Sequence, residues 1–250
     1  MTKGDFTGRA AVYDKYRPGY PEKLMDYLCK ANGLTEESLV ADVGSGTGKF
    51  TAQLLQCGLR VAAVEPNDDM RAAAEAALSA NPRFRSVCGS AERTTLESHS
   101  VDLVTAAQAF HWFDHARFRE ECRRILKPGA SVFLVWNNRD PESEIVLASA
   151  EICRRYCPNF EGFSGPEREP ESLFEKFYHG SYEKRIFAND IPYRMEEWVG
   201  RYLSSSYAPK PGEEYYEPFV EAFQELFVRF AEGDTLYLPN VTLSYLGQVM

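Results

Sequence analysis

The chain has 250 residues, enough for one large α/β domain or one domain with a modest insertion. Its net charge of −9 and pI near 5.1 disfavour a nucleic-acid substrate, which calls for a basic face against the phosphates. No apolar run approaches the ~20 residues of a membrane span, the first residues lack an apolar signal core, and the six cysteines lack the spacing of a disulfide scaffold, so a cytoplasmic protein with reduced thiols is expected.

In chain order, the first signal is aromatic. Tyr13, Tyr16, Arg17 and Tyr20 precede any strand pattern, and Pro18, Gly19 and Pro21 resist a continuous helix. Residues 1 to about 20 are expected to act as a hinged lid that orders when a ligand binds, with a helix packed by its tyrosines as the alternative. Strands are then predicted near 39–43, 60–65, 83–88, 101–106 and 131–136, with helices near 48–57, 68–80 and 115–126 between them. Such alternation marks a parallel, doubly wound sheet.

The run from Val40 to Lys49 carries the chemistry. A buried strand ends at Asp42-Val43, the chain turns on Gly44, Ser45, Gly46 and Gly48, a helix begins, and the next strand ends in Glu65. That is a nucleotide-binding β-α-β unit, with Glu65 placed to accept hydrogen bonds from two ribose hydroxyls. The alternative for Glu65 is an acid that caps the helix after Asn67. A dinucleotide fingerprint would need glycine at 49, where Lys49 stands, and a P-loop would need Ser or Thr after that lysine, where Phe50 stands. These departures discourage an NAD-dependent dehydrogenase. Asp42 beside the turn would repel a phosphate and suits an ammonium group, so S-adenosylmethionine, with its ammonium, sulfonium and free ribose, fits the pattern.

Beyond residue 137 the pattern changes. A helix is predicted over 142–156, a loop over 158–170, a short helix over 172–178, a strand over 182–193, amphipathic helices over 194–204 and 213–231, and a final strand or hairpin over 235–249. Cys153 and Cys157 lie one helical turn apart, but no further Cys or His at zinc spacing accompanies them.

The D-x-G-x-G-x-G turn and Glu65 resemble motif I and the ribose-binding acid of the class I S-adenosylmethionine-dependent methyltransferases. Further matches follow in order: Gly89-Ser90-Ala91-Glu92, Val101-Asp102-Leu103-Val104 leading to Phe110-His111-Trp112-Phe113, and Arg124 to Ala130 before Val132 to Trp136. The resemblance covers about residues 1 to 137. It is most similar to the methyltransferase type 11-like branch that includes ubiquinone C-methyltransferase-like and trans-aconitate methyltransferase-like proteins, which the segment 13–21 (YDKYRPGYP) also resembles.

The resemblance implies a Rossmann-like α/β fold with a seven-stranded sheet in the order 3-2-1-4-5-7-6, strand 7 antiparallel. It implies one domain over 1–250: an N-terminal helical lid (1–38), a cofactor-binding core (39–137), a helical linker region (138–181) and a helical cap (194–232) inserted between the last two strands. The implied function is methyl transfer from S-adenosylmethionine, giving S-adenosylhomocysteine, to a small-molecule acceptor without a metal, in a monomer or homodimer that binds neither nucleic acid nor membrane. A non-catalytic sensor or scaffold that binds the same cofactor is the alternative.

The expected cofactor shell is Asp42, Gly44, Ser45, Gly46, Glu65, Asn67, Met70, Ser90, Ala91, Glu92 and Gln108, with Tyr13 and Arg17 reaching the methionyl end. His111 follows strand 4, where an α/β sheet opens onto its ligand, and its pKa range suits a general base; capping a helix or meeting a backbone carbonyl is the alternative. Phe110 and Trp112 are expected to face sulfonium or substrate unless they are plain core. Trp136, Asn137, Asn138, Arg139 and Tyr207 are the remaining candidates for the acceptor.

Overall fold

The runs Leu39–Val43, Arg60–Val64 and Val101–Ala107 read as nearly continuous apolar segments because helices cover both faces of a parallel sheet. The computed structural model describes residues 19–163, 171–205 and 207–249. After helix α1 (Glu22–Ala31), strands β1 (Leu39–Val43) and β2 (Arg60–Val64) are buried at all but their first residues and pair in parallel, with Asp42 opposite Ala63. Helix α2 (Lys49–Gln56) joins them and buries Phe50, Thr51, Leu54 and Leu55, the stripe that a 3.6-residue period provides. Helix α3 (Asp68–Leu78) starts where the Asn67 side chain accepts the Met70 amide at 3.0 Å, and leads to β3 (Phe84–Val87).

Strand β4 (Val101–Ala107) and helix α4 (His115–Ile125) follow as predicted. Strand β5 (Leu126–Arg139) is longer than the predicted 131–136, because Leu126 pairs with Val101 before an irregularity carries the register to Ser131 opposite Leu103. Helices α5 (Glu144–Tyr156) and α6 (Glu171–Tyr178) come next, then β6 (Tyr182–Ala188), β7 (Ile191–Tyr193), α7 (Met195–Leu203), α8 (Tyr216–Phe230), β8 (Leu236–Leu238) and β9 (Asn240–Gly247).

The order of the seven-stranded sheet is β3-β2-β1-β4-β5-β9-β6, so the last strand enters between the fifth and sixth as expected. The predicted single strand over 182–193 is instead two. Asn189 donates its amide to Asn240 O at 2.8 Å, ending β6, and β7 turns away to pair antiparallel with β8. The final 235–249 stretch divides likewise at Pro239, which has no N–H to donate.

Two compact units result: residues 1–136, 166–187 and 242–250, and residues 137–165 with 188–241. In the first, the sheet carries one apolar cluster on each face, Ala41, Val64, Val104 and Leu134 lying in one and Val40, Val61, Leu103 and Phe133 in the other. Tyr178 donates its hydroxyl to Tyr245 O at 3.0 Å and lies 3.3 Å from Val132 O, tying α6 to β9 and β5. Glu121 on α4 is buried at 8% exposure; it accepts the Thr94 amide and hydroxyl at 2.8 and 2.6 Å and takes a bidentate pair from Arg124 at 2.7 and 2.8 Å. The core of the second unit is aromatic, built on Trp198, Tyr202, Phe219 and Phe223 together with Ile145, Val146 and Cys153 of α5. Among the described residues no helix is long and apolar enough to cross a membrane.

Candidate functional site

The turn after β1 is fixed by its neighbours. Gly44 and Ser45 both donate their amides to Val64 O, at 2.8 and 3.2 Å, which folds the chain back over the end of β2. Gly44 has φ +69°, and a Cβ there would lie 2.7 Å from the Ala109 methyl, so the loop after β4 can close on the turn only against a glycine. Gly46 (φ +58°) faces the opposite situation: a Cβ would meet nothing within 4 Å. Beside it the Ser45 hydroxyl is buried without a hydrogen-bond partner.

Glu65, at 8% exposure, closes the turn. One carboxylate oxygen accepts the Gly46 amide at 3.0 Å and the other the Asn67 amide at 2.9 Å, while Arg71 donates to Glu65 O at 3.1 Å. Burial pushes the Glu65 pKa up, against the two amides and the Arg71 charge, which pull it down. A carboxylate offers about four acceptor positions, so two stay available for a pair of vicinal hydroxyls. The open space at Gly46, the orphan Ser45 hydroxyl and the oriented carboxylate together fit the ribose side of S-adenosylmethionine.

Asp42 is placed differently from the expectation that it meets the ligand. It is buried at 1% exposure, one oxygen accepting the Thr51 hydroxyl at 2.6 Å and the other the Thr105 hydroxyl at 2.9 Å. Burial raises its pKa to about 6; the two hydroxyls oppose that rise and the Glu65 charge adds to it. The carboxylate therefore acts from behind the turn, tying the first turn of α2 to β4. Thr51 and Thr105 were not singled out from the sequence, although a lone threonine in an apolar strand that pairs Asp42 with Thr105 is a readable signal.

The remaining shell lies on the loops after β2, β3 and β4. Met70 and Ala91 are buried, while Asn67 spends its side chain on the α3 cap. Ser90 and Arg93 exchange backbone hydrogen bonds at 3.0 and 3.1 Å. Glu92 accepts the Asp114 amide at 3.0 Å and so supports the start of α4, where Asp114 in turn caps Arg117 N at 3.1 Å. Gln108 stands at φ +56° directly after β4, a conformation that costs ~1–3 kcal/mol for a non-glycine residue and recurs at ligand sites.

A 3₁₀ turn (Phe110–Trp112) follows. His111 is exposed, its ring 4.9 Å from that of Trp112, which is 52% exposed. Phe110 and Trp136, expected to face substrate, are core residues instead: Phe110 is fully buried, 4.9 Å from the Phe177 ring and 6.1 Å from Trp136, and Trp136 is buried against Phe174 and Tyr245. His115 stacks on Phe110 at 4.3 Å and meets Phe110 O at 3.1 Å.

Tyr13 and Arg17 lie outside the described residues. At the edge of that segment, Gln53 accepts the Tyr20 amide at 2.9 Å and donates to its carbonyl at 2.7 Å. In the second unit, Asn137 accepts from the Asn189 side chain at 3.1 Å, and Tyr207 packs 4.9 Å from Phe160 with its pKa pushed to about 12, chiefly by burial.

Comparison with known proteins gives a consistent result. A family model described as a methyltransferase domain matches residues 41–134. The uncharacterized methyltransferase-like protein C25B8.10 of Schizosaccharomyces pombe is 32% identical over 181 residues, 71% of this chain and 70% of that protein. The uncharacterized methyltransferase Rv3342 of Mycobacterium tuberculosis is 40% identical over 150 residues, and the match spans only 59% of that relative's length and 60% of this chain. Among solved structures, a protein assigned as a type II methyltransferase from Anaeromyxobacter dehalogenans superposes with a TM-score of 0.68 at 24% identity, covering 94% of this chain and 99% of that one.

Proposed function

Since this chain belongs to the methyltransferase family, we propose that it transfers a methyl group from S-adenosylmethionine to a small-molecule acceptor. The observation that carries the reading is the Glu65 carboxylate, held by the Gly46 and Asn67 amides beside a turn left open at Gly46. When bound, S-adenosylmethionine supplies a methyl carbon on a sulfonium, already activated for in-line displacement. The protein then has chiefly to position the reactants and exclude water.

In this reading Glu65 accepts the ribose hydroxyls, Ser45 gives its orphan hydroxyl to the ligand, and Met70 and Ala91 flank the base. Asp42 works through its field and by locking the turn. Gln108 lines the end of β4, and Trp112 lies on the acceptor side with His111, which takes the proton that the acceptor loses. The charge of −9 favours a small metabolite over nucleic acid, and the six free cysteines suit the reducing cytoplasm.

Calorimetric titration with S-adenosylhomocysteine tests the assignment. Glu65→Ala should lose about 1–3 kcal/mol of binding free energy, the scale of charge-assisted hydrogen bonds. Equal affinity in wild type and variant would overturn the ribose role. His111→Ala should lower turnover far more than cofactor affinity, and unchanged turnover would make His111 structural.

A further inference from the structure

The second unit buries positive charge without an answering acid. Arg139, at the end of β5, lies with its guanidinium carbon 4.1 Å from the Phe163 ring centroid and 5.8 Å from that of Tyr202. Arg201, on α7, lies 5.4 Å from the Tyr193 ring and donates one terminal nitrogen to the Tyr193 hydroxyl. The Nε atoms of both arginines are buried and have no acceptor, and the hydroxyl of the fully buried Tyr202 is in the same state. Among the described residues no carboxylate pairs with either arginine, whereas Arg71 and Arg124 of the first unit each have one.

Arg139 stands at the ring of Tyr202, the residue next to Arg201 in the chain, so the two arginines flank one aromatic side chain; burial lowers the Arg201 pKa, and the charge of Arg139 lowers it further. Two like charges in a poorly solvated setting repel, and a desolvated guanidinium without hydrogen bonds is costly. Stacking of Arg139 on Phe163 and Tyr202 compensates in part, yet it engages the face of the guanidinium and leaves the in-plane Nε–H donor unused, as the Arg201 Nε–H also is. An oxyanion supplies what is missing: negative charge and acceptors in the plane of the forks.

We infer that Arg139 and Arg201, with the Tyr202 hydroxyl, form a binding site for a carboxylate carried on a small apolar or aromatic body. The aromatic surroundings favour this ligand over free phosphate, whose higher charge and stronger hydration an apolar setting does not offset. The inference goes beyond methyl transfer, since binding requires no turnover.

The test is titration of the full-length protein with phenylacetate, its neutral analogue phenylacetamide, and inorganic phosphate, by calorimetry and by thermal unfolding. Wild type should bind phenylacetate and be stabilised by it, and should ignore phenylacetamide. Arg201→Gln and Arg139→Gln should each weaken phenylacetate binding by ~10-fold or more, as loss of a charge-assisted pair does. Should Arg201→Gln fail to fold, Arg139→Gln and Tyr202→Phe carry the test. Arg139→Gln should melt no lower than wild type, because it removes a repulsion; a merely structural arginine would lower the melting temperature and leave phenylacetate affinity untouched. Absence of phenylacetate binding, equal affinity across the variants, or preference for phosphate overturns the inference. Binding of S-adenosylhomocysteine by the same variants is read separately, so loss of the carboxylate site and failure of the methyltransferase reading give different results.

Discussion

In the first unit Asp42, Glu65 and Glu121 are buried acids with donors on their oxygens, from threonine hydroxyls, backbone amides or Arg124. In the second unit Arg139 and Arg201 are bases whose Nε–H groups have no acceptor. The contrast separates two uses of charge inside a protein. A buried charge whose hydrogen bonds are met within the chain is part of the framework and fixes geometry before any ligand arrives. A buried charge whose hydrogen bonds are unmet marks a place where the framework expects something else.

Three experiments bear on the acid side, in decreasing order of effect. Replacing both Thr51 and Thr105 by Val strips Asp42 of its donors and should cost about 3–5 kcal/mol in urea unfolding at pH 7, as uncompensated buried charge does. A cost below ~1 kcal/mol would mean that Asp42 is not held by its threonines, and the contrast with the arginines would fail.

Next is the pH dependence. The folded pKa of Asp42, about 6, lies above the unfolded value near ~3.9, so the native state binds the extra proton between them. Its contribution is favourable at low pH and is lost as pH rises from ~4 to ~6, by roughly 2–3 kcal/mol. Asp42→Asn should flatten that part of the stability profile, and an unchanged slope would refute the assignment.

Glu121 has the opposite sign. Burial pushes its pKa up, but the Arg124 and Thr94 hydrogen bonds outweigh it and the net pKa is lowered. Its stabilisation is present above the unfolded glutamate range and disappears as pH falls through the folded value. Glu121→Gln should cost ~1 kcal/mol at pH 7, discounted for the half-exposed Arg124, and progressively less as pH falls below the unfolded glutamate range. A pH-independent cost would mean that packing rather than charge is lost.

The first four strands and the glycine turn were legible because each is a local pattern: an apolar run, a turn residue, an acid at a strand end. The division of 182–193 into β6 and β7 was not, since β7 has three residues and its partner, 236–238, is remote in sequence. Among the candidate site residues, the positions of Glu65 at the end of β2 and of the turn glycines could be read from spacing alone. The burial of Phe110 and Trp136 could not, because their packing partners Phe174 and Phe177 arrive on a helix about sixty residues after Phe110 and forty after Trp136. Asp42 was read as a ligand acid because its partners Thr51 and Thr105 converge only when β1 and β4 pair.

Strand β9 lies between β5 and β6, yet it is the last strand in the chain. A ribosome releases both of its neighbours, and all but the last two of the second unit's residues, before it reaches β9. Until then β5 and β6 present unpaired edges across an open slot, and the Tyr178 hydroxyl lacks its Tyr245 acceptor. The nascent chain is thus vulnerable at the middle of its sheet rather than at its rim, where an unpaired slot can accept a foreign strand until β9 fills it.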